Sequence, residues 1–287
     1  MSGLFSVGKF GKEIYRTYVV DQPNHFAASI SYYSLFSLVP TIYIAFQFAG
    51  IFIDNAAVTQ HMFVEIENLL GVDVAELLMV MLDAISESPS NSTIVDRFVS
   101  TIVMLFGASL LFFKLQYALN TIWKIPPSAD GQTKTFLFNR LLAFITVYCV
   151  GILVIVVSLT YVLVAFLDSL LQFQLTSPFF NHGTNIAISM VTITLLFKLL
   201  PNARISWKDA AIGAGVTAFL LSAGTKGLGW YLSSSKVDSF FEAAGSVALL
   251  LIAIYFLSQL FIFGAVFTRV FADRYGSGIQ PKITTET

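Results

Sequence analysis

The sequence predicts an all-α polytopic membrane protein with six transmembrane helices and both termini in the cytosol. Three observations predict it. Of 287 residues, 56% are apolar and only 11% charged, a balance that no soluble domain of this size keeps away from water. Six stretches almost free of charge, the shortest of them continued by flanking helical sequence, match the roughly 20 residues that a helix needs to cross a hydrocarbon core of about 30 Å. Finally, thirteen of the sixteen Lys and Arg residues fall in the segments that this topology places inside: Lys9, Lys12, Arg16, Lys114, Lys124, Lys134, Arg140, Lys198, Arg204, Lys208, Arg269, Arg274 and Lys282. Only Arg97, Lys226 and Lys236 fall outside.

Residues 1–24 carry Lys9, Lys12, Glu13, Arg16 and Asp21 without an uninterrupted apolar core, so they read as a cytosolic lead-in, compatible with an interfacial helix, and not as a cleaved signal. The transmembrane domain is expected over 25–273 and a polar, mobile cytosolic tail over 274–287. Span one lies within 24–53. Its His25, Ser29, Tyr33, Ser37 and Thr41 recur at every fourth position, on one helix face, and Gln47 falls close to the same stripe. Pro40 removes one backbone donor and deprives the Phe36 carbonyl of its helix partner, which predicts a kink or a side-chain partner nearby.

The outer segment 54–96 holds eight acidic residues and no Lys or Arg. Within it Val74, Leu77, Leu78, Met81, Leu82 and Ile85 follow helical spacing while Asp73, Glu76, Asp83 and Glu87 take the other side, so short amphipathic helices are expected there. Span two, 98–113, continues as a helix through Trp123, with Lys114 snorkelling and Trp123 in an aromatic belt. On it Gln116 and Asn120 lie one turn apart. Pro126 and Pro127 break the chain. Span three covers 141–167, and its length implies tilt. An uncharged connection, 172–183, with Pro178 and His182, leads to span four, 184–200, which stops at Pro201 and Asn202. Span five starts at Trp207. Its Ala210, Ala214, Ala218 and Ser222 repeat every four residues beside Gly213 and Gly215, so another helix, in the same chain or in a second copy, can approach closely. Trp230 and Tyr231 read as an interfacial belt. Lys226 at the outer end snorkels or pairs with Glu242. Span six, 245–271, carries Tyr255, Ser258, Gln259 and Gly264 at mid-membrane.

Chemistry-bearing motifs are scarce. His25, His61 and His182 fall on different segments, Cys149 is the only cysteine, and no HExxH, GxSxG, phosphate-binding loop or CxxC occurs. No catalytic residue, metal site or cofactor is therefore expected, and nucleic acid is excluded as a partner because the basic residues follow the membrane border without an aromatic platform. Polar groups at membrane depth remain. His25, Ser29 and Tyr33 are placed to meet Gln116 and Asn120, with Pro201, Asn202 and Arg204 closing from the loop below. Deeper, Ser37, Pro40 and Gln47 are placed to face Tyr255, Ser258 and Gln259. These groups either line a polar cavity for a small polar solute, an ion or a lipid head group, or serve only as interhelical hydrogen bonds. LFSLVP at 35–40 and LFKLLP at 196–201 share a pattern, but both fall in the cytosolic half, so they are not an inverted repeat.

Four stretches taken together, ASISYYSLFSLVP (28–40), LQYALNTIWK (115–124), FKLLPNARISWKDAAIGA (197–214) and GSVALLLIAIYFLSQLFIFGAVFTRVF (245–271), resemble the YihY/BrkB family of bacterial inner-membrane proteins. The resemblance implies six spans with cytosolic termini, in agreement with the charge distribution. It also carries an older ribonuclease BN label, for which the residues offer no chemistry. No catalytic residues come with it. The expected function is transport or permeation across the inner membrane; a second class is a non-transporting envelope protein whose acidic outer helices bind partners, and a membrane-bound enzyme comes third.

Overall fold

The computed structural model describes residues 2–49, 94–126, 178–234 and 245–281, with single helical positions between 63 and 80. The expected third span, most of the acidic outer segment, Glu242 and the side chain of Gln47 lie outside the described residues. Six long helices make up the described chain: α1 Ser2–Asp21, α2 Asn24–Ala49, α3 Ile94–Ile122, α4 Pro178–Leu199, α5 Trp207–Ser234 and α6 Gly245–Tyr275. A two-stranded antiparallel ladder joins β1, Ala203–Arg204, to β2, Gln280–Pro281. Trp207–Tyr231 and Val247–Tyr275 are long and apolar enough to cross a membrane.

The helix ends follow from local chemistry. α1 stops where Gln22 enters the left-handed region at φ 41° and Pro23 withholds a donor, and α2 begins at the next residue. α3 ends in a Schellman motif. The Ile125 N–H donates to the Asn120 carbonyl at 2.8 Å and the Lys124 N–H to that of Thr121 at 3.1 Å, with Lys124 at φ 53°. Ser206 caps α5, its Oγ accepting the Lys208 N–H at 3.3 Å and its carbonyl accepting that of Ala210 at 3.0 Å.

Helix α4 differs from expectation at its start. The stretch from Pro178 to Gly183, read as a connection, is already helical. Proline is at home in the first position of a helix, where its missing N–H has no partner in any case, so Pro178 opens the helix instead of blocking it.

The chain divides into two compact units, the first comprising Met1–Phe26, Leu115–Ser222 and Gln259–Thr287, and the second Ala27–Lys114 and Ala223–Ser258. In the first unit Leu119, Phe197, Ile262 and Val266 are fully buried. The Phe197 ring meets Trp123 at 5.7 Å and Phe261 at 5.6 Å. Between membrane helices such burial gains little, since lipid tails are as apolar as leucine; close packing must hold the pair instead.

Twin glycine contacts between α5 and α6 supply that packing. Thr268 of α6 sits over Gly213 of α5, where an added Cβ would lie 2.7 Å from both the Cβ and Cγ2 of the threonine. Reciprocally, Thr217 of α5 sits over Gly264 of α6, its Cβ and Cγ2 2.8 Å from an added Cβ. Each threonine hydroxyl donates back to a glycine carbonyl of its own helix, Thr217 to Gly213 and Thr268 to Gly264, both at 2.7 Å. Ala210, Ala214 and Ala218 of the same face are fully buried, so the small-residue stripe of α5 is covered within one chain.

Two further expectations are corrected in this unit. Trp123, placed in an aromatic belt from the sequence, is buried, and its indole N–H donates to the Ala265 carbonyl at 3.1 Å. An indole that finds an acceptor inside a helix bundle has no reason to seek the interface. The tail, expected to be mobile from residue 274, is tied down as far as Pro281. Ser277 donates its N–H and its hydroxyl to the buried Asp209 carboxylate, both at 3.0 Å, and β2 pairs with β1. Both contacts use backbone groups that hydropathy does not register.

In the second unit Leu78 and Leu250 form a small buried cluster flanked by Leu35, Leu38 and Ile254. Of the residues read as the two sides of the outer segment, Leu78 is buried and Glu76 exposed, and the others lie outside the described residues.

Candidate functional site

The polar residues singled out from the sequence fall into two groups with different geometry. In the first unit, the end of α3 fastens the α4–α5 loop. Gln116, buried, donates its Nε2 to the Leu200 carbonyl at 2.7 Å, and the Asn120 Oδ1 accepts the Asn202 N–H at 2.8 Å. Residues four apart on one helix face thus satisfy two consecutive breaks in the backbone ladder beyond α4, around the fully buried Pro201. Lys198 turns back to donate its ammonium to the Ile205 carbonyl while lying 5.3 Å from the Trp207 ring centroid. Arg204 is exposed, paired through its backbone with Gln280. Gln259 accepts a hydrogen bond from the Tyr18 hydroxyl at 2.8 Å. His25 is exposed and its ring lies tilted against that of Phe26, with centroids 4.1 Å apart.

The second group belongs to the second unit. Along α2 the stripe Ser29, Tyr33, Ser37 passes from half-buried to fully buried. The Ser37 Oγ donates to the Ser34 carbonyl at 3.2 Å, just ahead of Pro40. The ring of Pro40 is accommodated by Gly107 of α3, where an added Cβ would lie 3.1 Å from the proline Cγ. Beside this, the half-buried Lys114 ammonium lies 4.4 Å from the centroid of the Tyr33 ring, so the expected snorkelling lysine is engaged in a cation–π contact. On α6, Ser258 is buried, whereas Tyr255 lies on the exposed side with Ile252 and Phe256. Lys226 is exposed on α5.

The geometry therefore joins Gln116, Asn120, Pro201 and Asn202 in one network, and Tyr33 with Lys114 in another. Sequence reasoning passed over Ser31, Ser34 and Ser109, all buried, with the Ser31 hydroxyl on the Ala28 carbonyl at 3.0 Å and that of Ser109 on Phe106 at 2.7 Å. The signal available for Ser31 and Ser34 was their spacing with Ala27 and Ile30, a face rotated from the one chosen. Arg269 was also passed over; it donates to the Ile122 carbonyl at 2.8 Å and pairs with Asp273 at 3.7 Å. Among the described residues no three His, Cys, Asp or Glu side chains gather closely enough to hold a metal ion.

Long helices bearing large apolar side chains on their outer faces, such as Phe36, Phe106, Phe219 and Trp230, define a helical membrane protein. The chain belongs to the family described as Virulence factor BrkB, whose profile matches residues 14–286. It is 25% identical to a UPF0761 membrane protein of Saccharophagus degradans over 94% of this chain and 61% of that protein. A UPF0761 membrane protein of Teredinibacter turnerae is likewise 25% identical, over 95% of this chain and 62% of its own length. A third, from Mannheimia succiniciproducens, is 24% identical over 86% of this chain and 84% of the relative. The chain thus spans about three fifths of the length of the first two relatives. No solved structure matches it.

Proposed function

We propose that this protein is a multi-pass transport or permeation protein of the bacterial inner membrane, with six spans and both termini cytosolic. Its polar intramembrane groups form a path for a small polar solute, an ion or a lipid head group. The observation that carries this reading is Lys114. It follows sixteen uncharged residues, 98–113, and its ammonium rests on the Tyr33 ring with no carboxylate partner among the described residues. Half-buried on a ring face at the cytosolic end of its span, this cation is placed where it can attract a polar or anionic group that enters from that side. Ser37 and Pro40 on α2 support the same reading, because a proline leaves a carbonyl that an entering polar group can use.

One observation favours the second reading, a non-transporting envelope protein that binds partners: Gln116 and Asn120 are used to hold the chain's own backbone. Cysteine accessibility separates the two. In a background with Cys149→Ser, the variants Ser37→Cys and Gln259→Cys are treated with a membrane-impermeant thiol reagent in inverted and right-side-out vesicles. Labelling from either side is expected for a wet path. Complete protection at both positions on both sides would overturn the transport reading and leave the scaffold one.

A further inference from the structure

Helix α1 has two differently made faces. Phe10, Ile14 and Tyr18, spaced by four, turn toward the end of α6: Phe10 meets Phe267 and Tyr275, each at 5.5 Å, and Tyr18 meets Phe263 at 6.0 Å. Glu13 closes this seam with an ion pair to Arg274 at 2.9 Å. From Phe10 to Tyr18 the inward face of the helix is thereby occupied within the protein.

What remains exposed is neither plainly polar nor plainly apolar. Lys9, Lys12 and Arg16 share one exposed arc, and no carboxylate pairs with any of them among the described residues. Flanking them, Tyr15 is 70%, Val19 48% and Val20 68% exposed. A solvated helix face would not carry an aromatic ring and two valines between its cations. A face meant for another protein's apolar groove would not carry three exposed cations across it. Basic residues interleaved with an amphipathic ring and short apolar side chains fit the boundary between phosphate head groups and acyl chains.

The position of α1 supports that occupant. It is fastened to Phe267, Arg274 and Tyr275, the last turns of a helix long and apolar enough to span a bilayer, which is where head groups begin. We propose that the outward face of α1 is a docking surface for anionic lipid, with Lys9, Lys12 and Arg16 on the head-group phosphates and Tyr15, Val19 and Val20 dipping toward the acyl chains. Charge complementarity selects phosphatidylglycerol-like lipids over zwitterionic ones. Each basic residue adds about five-fold to the affinity near a negatively charged surface.

The test uses the full chain purified in mild detergent and titrated with dioleoylphosphatidylglycerol or dioleoylphosphatidylcholine, with the shift in thermal melting as the readout. The wild type is expected to respond at lower concentrations of the anionic lipid. A variant combining Lys9→Gln, Lys12→Gln and Arg16→Gln is expected to melt like the wild type without lipid and to lose that preference, by about five-fold for each charge removed. Equal responses of the wild type to both lipids, or an unchanged preference in the variant, would overturn the proposal. A second measurement keeps the native charges. Val19→Cys in the Cys149→Ser background, labelled with a fluorophore and reconstituted in phosphatidylglycerol-containing vesicles, is expected to be quenched by brominated lipid. Quenching by aqueous iodide alone would place the face in water and rule out docking on lipid.

Discussion

Two regions of this molecule differ in what their polar side chains fasten. In the first unit, where α3 ends, side chains reach across to the backbone of other elements: Gln116 to Leu200, Asn120 to Asn202, Trp123 to Ala265 and Arg269 to Ile122. Among the described residues of the second unit, Ser31, Ser37 and Ser109 of α2 and α3 bond within their own helices, to Ala28, Ser34 and Phe106, as Thr217 and Thr268 do in the first unit, and none of the three serines bonds across to another helix. The first arrangement ties segments that are far apart in the chain. The second ties nothing, and leaves each hydroxyl free to change partner by one rotation about χ1. A region that must hold its shape is built in the first way, and a region that must receive something else can be built in the second.

The sharpest way to break the fastened region is through its helix pair. Gly213→Val puts two methyl groups where Thr268 already sits, so α5 and α6 must separate, and a loss of about 3 kcal/mol is expected from overpacking. Thermal melting in detergent reads it. The double variant Gly213→Ala with Thr268→Ala is expected to recover part, and only part, of the loss measured for Gly213→Ala alone, because the second change removes the threonine hydroxyl and methyl but leaves its Cβ in place. Absence of recovery would mean that the contact is not the one holding the pair.

A smaller effect is expected at the loop. Gln116→Leu keeps the volume but leaves the Leu200 carbonyl without its donor in a buried place, at a cost of about 2 kcal/mol. The loop carries the exposed Arg204, so loosening it has a direct readout in faster tryptic cleavage after that residue. If the melting temperature falls while cleavage does not change, Gln116 acts by packing and not by holding the loop.

How much of this was legible in the sequence differs between the two regions for a physical reason. The helices α2, α3, α5 and α6 were plain, because apolar runs and turn residues are local signals. That Gln116 and Asn120 face together was also plain, since it follows from 3.6-residue geometry. Their partners were not, because a main-chain carbonyl or N–H carries no side-chain signature and can be supplied from any part of the chain. Trp123 failed for the same reason: its acceptor is the carbonyl of Ala265. The pairing of α5 with α6 could have been read further than it was. GAGVT at 213–217 and GAVFT at 264–268 are the same small-residue pattern written twice, and two antiparallel helices carrying it match glycine to threonine at both ends.

Asp209 offers an intermediate case, since its two bonds both go to Ser277. Asp209→Ala removes a buried carboxylate that holds the segment after α6, and a cost of about 1.5 kcal/mol is expected for losing hydrogen bonds to a charged group. Hydrogen exchange at the amides of Ser277 and Gln280 is expected to rise well before global unfolding. Ser277→Ala removes only one of the two bonds and should give the smaller rise. Exchange unchanged from the wild type in both variants would show that the β1–β2 ladder holds the tail without Asp209.

The smallest expected effect belongs to Ser37, and it bears most directly on the comparison. Its side chain is fully buried, so by burial alone Ser37→Ala would rank with Gln116→Leu. By partnership it should not, because the Ser34 carbonyl that Ser37 bonds already lies within α2 and the helix loses no tie to another element when the hydroxyl goes. Alanine is also the better helix former, which offsets part of the lost bond, and the net change in stability is expected to stay within about 0.5 kcal/mol. A melting temperature that falls as far as in Gln116→Leu would show that Ser37 holds the bundle together, and the distinction between a fastened and an unfastened region would then fail at the residue where it matters most. An unchanged melting temperature together with altered solute or ion flux in reconstituted vesicles would put Ser37 on the permeation path.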